Sequence, residues 1–468
     1  MNNSLTRREF IRTSGVAGVA TMAGFQAPGA SVFNGPAKRV TITGVNSNFE
    51  REPLIRPFGF KGGYMTEIWQ TVSYLESVSG DHHIGLCSQN VLWSDAQVFA
   101  AHSESGGNAL MFALTERALQ IIKGQSFSSP IELLDNILPE VYAYGQKITS
   151  NPHLRKTFAL NALVGTDNAA WLLYAGENGF TTFDQMIPPA YRLALSNHHS
   201  QAAAIPLMAY NIPVSEIQAA VEQGYFFMKI KIGQPGTQDE MLEKDKARLT
   251  AIHQAIGNVR TSHTKDGKLP YYFDANGRYE KKETLLKLLD HARKIGAFDQ
   301  VAIIEEPFAE ELEFDVKDIP VRLAADESAH TDSDAIKRME MGYKAIALKA
   351  IAKTLSMTMK IAQAAHERNI PCFCADLTVN PVLVDWNKNV AARLNAFPGM
   401  GNLGLIESNG HQNYRNWNTM MSYHPHGEGS WVKATGGVYE LDNDFYQSSG
   451  GIFETMPHYE EMFVSTKR

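Results

Sequence analysis

The sequence predicts an α/β protein whose larger part is a parallel α/β barrel, preceded by an α+β cap that the C-terminal tail completes. Three observations carry that expectation. Beyond Thr166, short apolar strand-like runs alternate with amphipathic helix-like runs, the pattern of successive βα units. Five of the strand-like runs end in charge: Lys229 and Lys231 in YFFMKIKIG, Asp274 in YYFDANGRY, Glu305 in VAIIEEPF, Asp326 in VRLAADES and Lys349 in KAIALKA. The steps from Asp274 through Glu305 and Asp326 to Lys349 are 31, 21 and 23 residues, each about one βα unit.

Residues 1–30 stand apart from the folded chain. Arg7 and Arg8 in TRREFIR precede a weakly apolar stretch rich in Gly, Ala and Thr, and the segment resembles a twin-arginine export signal. The resemblance implies a periplasmic protein or one tethered on the outer face of the membrane. Ala27-Pro28-Gly29-Ala30 is a poor match to a small-residue cleavage site, which leaves an uncleaved anchor open.

Residues 31–165 read as the cap. A strand, KRVTITGVNSNF, runs into a Pro/Gly/Arg/Lys-rich loop from Glu50 to Met65, then TEIWQTVSYLESV and HIGLCSQNVLW. A second loop from Gln89 to Asn108 leads to amphipathic helices over Ala109–Lys123 and Pro130–Ile148. Both loops are too long for simple connection. Arg56, Phe58, Phe60 and Lys61 in the first, and Trp93, Ser94 and Asp95 in the second, are candidates to close over a substrate.

Residues 166–411 read as the barrel. The helix-like NAAWLLYAGENG leads into AIPLMAYNI as first strand, and the series closes on NLGLIESNG as eighth, with helix-like segments between most strands. Gly224, Gly257, Gly296, Gly342 and Asn369 stand where helices must stop, the position for a left-handed residue. Residues 412–468, with strand-like WVKATGGVYEL, are expected to return to the cap.

Composition narrows the partners. A chain of 468 residues has room for two domains with substantial cores. A net charge of −7 argues against nucleic acid or anionic membrane as the main partner. There is no apolar run long enough for a transmembrane helix. Cys87, Cys372 and Cys374 are three in number and cannot all pair; Cys372-x-Cys374 reads as two small buried side chains on one strand. His82-His83 and His198-His199 read as surface pairs in polar stretches. A small-molecule carboxylate is the expected partner, and a homo-oligomer the expected state.

In a parallel barrel the C-terminal strand ends converge on one pocket. Three carboxylates there make a hard oxygen site suited to Mg²⁺, with Mn²⁺ able to substitute. A cation that chelates a substrate carboxylate stabilises the enediolate formed when the α-proton leaves. Lysine must lose its own proton to act as base, and repulsion between Lys229 and Lys231, two residues apart on one face, together with the nearby cation, offers a route. Lys349 lies four strands on, across the barrel, so two bases could serve opposite faces of a planar intermediate. Asp376 and Thr378 end the seventh strand and Glu407 the eighth, all toward the same pocket.

The set K-x-K, D-A-N, I-E-E-P, A-D-E-S and L-K resembles the enolase superfamily, in the mandelate racemase/muconate-lactonizing branch that includes dipeptide epimerases. The resemblance implies a modified TIM barrel, (β/α)7β, with a capping domain. It implies a metal site at Asp274, Glu305 and Asp326, an acid/base pair of Lys231 and Lys349, and Lys229 as auxiliary. Asn276, Glu306 and Glu327 fall beside them; Glu305 over Glu306 and Asp326 over Glu327 follow the family pattern. Two departures stand out. No Gly-Gly follows Lys349 in LKAIAKTLSM, which makes Lys353 a second candidate for its role. The eighth strand reads Leu405-Ile406-Glu407-Ser408-Asn409 without the Asp-x-Asp of dipeptide epimerases, leaving Glu407 either to hold an ammonium group or to donate to the enediolate.

The leading expectation is a racemase or epimerase acting on a dipeptide or amino-acid derivative. The alternative is a dehydratase or cycloisomerase acting on a sugar acid through the same intermediate. A glycoside hydrolase using Glu305 and Glu306 is disfavoured, because adjacent strand residues point to opposite faces. The intact lysine and carboxylate set argues against an exported protein that only binds.

Overall fold

The computed structural model describes residues 37–60 and 63–464. The export-signal reading and Lys61 therefore fall outside the described residues. Among those described, no helix is long and apolar enough to cross a membrane.

The cap is a four-stranded antiparallel sheet in the order β3-β2-β1-β4, with β1 Val40–Phe60, β2 Gly63–Ser77, β3 His82–Gln89 and β4 Ser126–Phe127. Here the structure corrects both predicted loops. Glu50 to Met65 is mostly the far half of a long β1–β2 hairpin, paired from Ile42–Ser77 out to Phe60–Gly63. Pro53 and Pro57 suggest a loop because proline cannot donate to a ladder. They lie at or within the one irregularity near the tip, between the Pro53–Glu67 and Phe58–Met65 pairs. The stretch from Gln89 to Asn108 is mostly helix, Val91–Ser94 and then Ala96–Ile122, each started by a side-chain cap from Asn90 and Asp95. The helix Pro130–Ile148 has the predicted limits, with Ser129 as its cap and Pro130 in its first turn.

The predicted cap–barrel boundary at 165/166 falls inside one continuous helix, Lys156–Asn178, which is buried almost throughout. Its backbone lies directly on β3. A Cβ on Gly85 would stand 2.0 Å from the Gly165 carbonyl oxygen, so only glycine allows this approach.

The barrel strands are β5 Gln201–Ile205, β6 Leu207–Met208, β7 Met228–Lys231, β8 Tyr271–Asp274, β9 Val301–Glu305, β10 Leu323–Ala325, β11 Ala345–Leu348, β12 Cys372–Cys374 and β13 Gly404–Glu407. They pair in parallel in chain order from β6 to β13, and β13 pairs with β5. β5 and β6 are one predicted strand interrupted at Pro206. Below it β5 pairs with β13; above it β6 pairs with β7, and the Pro206 carbonyl still accepts from Lys229 N at 3.0 Å. The two ends of the sheet thus meet in a single run of chain. A tenth strand, β14 Val438–Glu440, pairs antiparallel with β5. Only these three residues of WVKATGGVYEL are strand, and they join the barrel sheet rather than the cap. The rest of the tail does reach the cap: Arg415 N donates to Pro53 O, and Asn48 Nδ2 to Met462 O.

Gly224, Gly296, Gly342 and Asn369 have the predicted left-handed conformation, but Gly257 does not, with φ −60°. It is needed for space instead: a Cβ there would sit 2.5 Å from His253 O.

Candidate active site

The charged residues assemble because register brings the strand ends to one level. Lys231 pairs with Asp274 across β7–β8, and Asp274 with Glu305 across β8–β9. Asp326 and Lys349 follow directly on the ends of β10 and β11. Lys229 Nζ bridges Asp274 and Glu305 at 2.9 Å each and reaches Glu407 at 3.3 Å. Lys231 Nζ lies 2.5 Å from Asp274 Oδ2 and 2.6 Å from Asn276 Oδ1. Lys349 Nζ lies 2.5 Å from Asp326 Oδ2. All of these side chains are buried apart from the half-buried Asn276.

Burial of so much charge needs mutual compensation. Burial alone would pull the Lys229 ammonium down, but Asp274, Glu305 and Glu407 outweigh it and hold the pKa well above the usual lysine value. Carboxylates rather than Lys231 dominate the surroundings of Lys229. Lys349 is raised likewise, burial being outweighed by Asp326 in particular. Glu305 goes the other way. Burial and the Asp274 charge push its carboxyl well up, and Tyr272 Oη donates to it.

Lys353 is not a second Lys349. Its ammonium is fully buried, donates to the Asp326 and Ala329 carbonyls at 2.6 and 3.1 Å, and stands 3.2 Å from Asp326 Oδ1. It fixes the turn that carries Asp326. Glu306 works on the same turn, its carboxylate accepting from Asp326 N at 2.7 Å; burial, then the Glu327 charge, lifts it to about 7.

A cavity of about 50 Å³ opens onto Lys229, Lys231, Asp274, Asp326 and Lys349. Asn276, Glu327, Asp376, Thr378, Glu407 and Phe58 also line it. Asp376 is pushed up to about 7 by burial and by Glu407, while its Oδ2 accepts from Asn409 N. Arg56 is exposed and lines an adjoining outer cavity rather than this one. Phe60 ends β1 near the hairpin tip. Trp93 lines the cavity with its ring 4.7 Å from Lys349 Nζ. Ser94 and Asp95 hold the cap together instead: Ser94 Oγ donates to Asn161, and Asp95 accepts from Gln97 N and Val98 N.

Sequence reasoning missed Asn90, Leu207, Leu377 and Asn409, which also line the cavity. Asn409 links Thr378 Oγ1 and the Glu407 carboxylate, at 2.7 and 3.1 Å. Its place two residues past the Glu407 strand end was the available signal. Of the histidine pairs, His199 is buried and bonds Leu394 O at 2.8 Å, so it is structural rather than surface.

Oxygens of Glu305, Asp326 and Glu327 lie within 4.8 Å of one another, and all three residues are buried. These are hard anionic donors at the spacing of a divalent cation's first shell, and they fit Mg²⁺. The set differs from the predicted trio in having Glu327 in place of Asp274, whose carboxylate is held by Lys229 and Lys231.

The fold is a barrel of parallel strands capped by an antiparallel sheet, with the charged residues gathered at one end of the barrel. Residues 214–424 match the family described as enolase C-terminal domain-like. No curated protein matches the sequence. Among solved structures, the chain is similar to a mandelate racemase/muconate lactonizing protein from Herpetosiphon aurantiacus, at 16% identity and TM-score 0.59, covering 86% of this chain and 96% of that one. It is similar to a dipeptide epimerase from Enterococcus faecalis V583 complexed with Mg and L-Leu-L-Tyr, at 17% identity, TM-score 0.55 and coverage of 78% and 90%. It is also similar to an N-succinyl Arg/Lys racemase from Bacillus cereus, at 14% identity, TM-score 0.58 and coverage of 80% and 89%. At such identities the likeness is one of fold.

Proposed function

We propose that this protein removes and returns the α-proton of a small carboxylate substrate with Mg²⁺ as cofactor, and that the outcome is racemisation or epimerisation. The observation that carries the reading is the pairing of Lys231 with Asp274 and of Lys349 with Asp326, at 2.5 Å each, from strands four positions apart in the barrel. The family match and the racemase and epimerase neighbours support it.

Glu305, Asp326 and Glu327 would hold the cation, and Asp274 would join them only on release from Lys229 and Lys231. A cation held there would supply positive charge to a substrate carboxylate and so make the proton on its α-carbon more acidic. Lys231 and Lys349 carry the proton on opposite faces. Lys229 stays charged among Asp274, Glu305 and Glu407 and keeps those carboxylates in place. Trp93 covers Lys349 and shields its ammonium from water.

The test is incubation in D₂O with dipeptides, N-acyl amino acids and sugar acids, followed by NMR. Deuterium at the α-carbon of both epimers is expected. Formation of a 2-keto acid would point to a dehydratase instead, and binding without any exchange to a protein that only binds. Export by the twin-arginine route belongs to the same proposal; recovery of the protein in the cytoplasmic fraction of the native cell would refute it.

A further inference from the structure

The reaction cavity adjoins a second, larger one of about 500 Å³, and the two share Phe58, Leu207 and Asn276 as common walls. Their chemistry is opposite. The inner cavity is lined by five carboxylates, Asp274, Asp326, Glu327, Asp376 and Glu407. None of the described residues lining the outer one is acidic, and two are arginines, Arg56 and Arg278. Among the described residues neither guanidinium makes a salt bridge or hydrogen bond.

Arg278 is also held in place. Its backbone N–H donates to Ala275 O at 3.1 Å, and its carbonyl accepts from Gln238 Nε2 at 2.9 Å. Its aliphatic stem lies over Gly233, where a Cβ would come within 2.6 Å of Arg278 Cβ; Gly233 also has φ +76°. The neighbouring wall is clamped by a different arginine: Arg248 donates to the carbonyls of Ala209, Tyr210 and Ile212 at 3.0, 3.3 and 3.1 Å. Arg248 is thus consumed by structure, while Arg278 and Arg56 keep their donors for something else. A guanidinium fork fixed at its base in a site without carboxylates suits an anion.

We infer that the substrate carries a second anionic group, carboxylate or phosphate, at the end remote from the reacting carbon, and that Arg278 with Arg56 binds it in the outer cavity. The inference rests on the proposed reaction and names its substrate class. The substrate is then a dianion: its reacting carboxylate lies among the lysines, and its distal anion reaches past Phe58 and Asn276 to the arginines.

The experiment uses N-acyl amino acids of increasing acyl length that end in carboxylate, in phosphate or in the isosteric primary amide, with the Mg²⁺-loaded protein. Deuterium exchange gives kcat/KM, and calorimetry gives Kd for the same compounds. Carboxylate or phosphate members of one length are expected to exceed their amides about tenfold or more in both measures. That ratio should collapse toward one in Arg278→Gln and survive in part in Arg278→Lys, with melting curves checking that each variant folds. Which of carboxylate and phosphate is preferred separates the two sources of charge. Equal values for charged and amide members at every length, or a preference unchanged in Arg278→Gln, would overturn the inference while leaving the proposed reaction intact. Absence of exchange from every compound would count against the reaction; the calorimetric ratio would still decide the arginine pocket.

Discussion

Replacing Lys349 with methionine removes one of two opposed proton carriers while keeping an apolar stem under Trp93, whose ring is 4.7 Å from Nζ. A positioned general base contributes about 10²- to 10⁴-fold to a proton transfer. Exchange from one epimer should fall by that factor in Lys349→Met, and exchange from the other epimer should persist. Lys231→Met should show the reverse. The structure also sets the stability cost. Lys349 and Asp326 are both buried, and breaking such a pair typically costs about 3–5 kcal/mol. Lys353 remains 3.2 Å from Asp326, so the loss should lie at or below the low end of that range. Removing a cation 2.5 Å from a candidate metal ligand should leave Mg²⁺ bound at least as tightly as before. Single-turnover deuterium exchange on each resolved epimer, urea unfolding and Mg²⁺ calorimetry read these three effects. An equal loss from both epimers in both variants, with folding and Mg²⁺ binding intact, would refute the two-base reading.

Other expectations follow from single contacts. Asp167, in the buried helix Lys156–Asn178, accepts from Ser356 N and Oγ at 3.1 and 2.5 Å, yet burial lifts its pKa from 3.8 to about 7. A raised folded-state pKa means that its contribution is fully present below the unfolded value and is lost as pH rises through about 7, by about 4 kcal/mol in all. Asp167→Asn should flatten the difference in urea stability between pH 4 and 8, and parallel curves for variant and parent would contradict this. Gly85→Ala, which would place a methyl 2.0 Å from Gly165 O, should destabilise by about 1–3 kcal/mol despite the better strand propensity of alanine, read from urea midpoints. Chelation of divalent metal should abolish exchange, with Mg²⁺ restoring it; exchange at full rate in chelator would exclude the metal. Trp93→Leu should slow exchange several-fold by letting water reach Lys349, with a solvent-isotope profile distinguishing this from simple unfolding.

The barrel was legible because its signal is local and repetitive. Each of β7, β8, β9, β10 and β11 is a short apolar run, and the charge at its end is positioned by the same period-two alternation that buries its neighbours. The helices between them carry their own stops, as Gly224, Gly296 and Gly342 show. The cap was harder to read because its signals conflict with tertiary context. Pro53 and Pro57 argue for a loop, but the long pairing of β1 with β2 absorbs them at a single irregularity. Ser103, with φ 66°, kinks the run Ala96–Ile122, and the Ser/Gly-rich stretch around it reads as a loop in sequence although helix continues on either side. Pro206 splits one predicted strand, because without an N–H it leaves a gap in the ladder where β5 passes the sheet edge to β6.

By itself the sequence determined which residues would meet: lysines and carboxylates at consecutive strand ends must converge, since parallel strands in a barrel share one C-terminal face. Only the tertiary structure decided what each of them does there. It holds Asp274 between two lysines, sets Glu327 beside Glu305 and Asp326, and turns Lys353 to the Asp326 carbonyl rather than to the cavity. It brings Trp93 over Lys349 and opens an arginine-lined space beyond Phe58. The physical reason is that strand periodicity specifies a face, whereas pKa, ion pairing and cavity shape depend on neighbours distant in the chain.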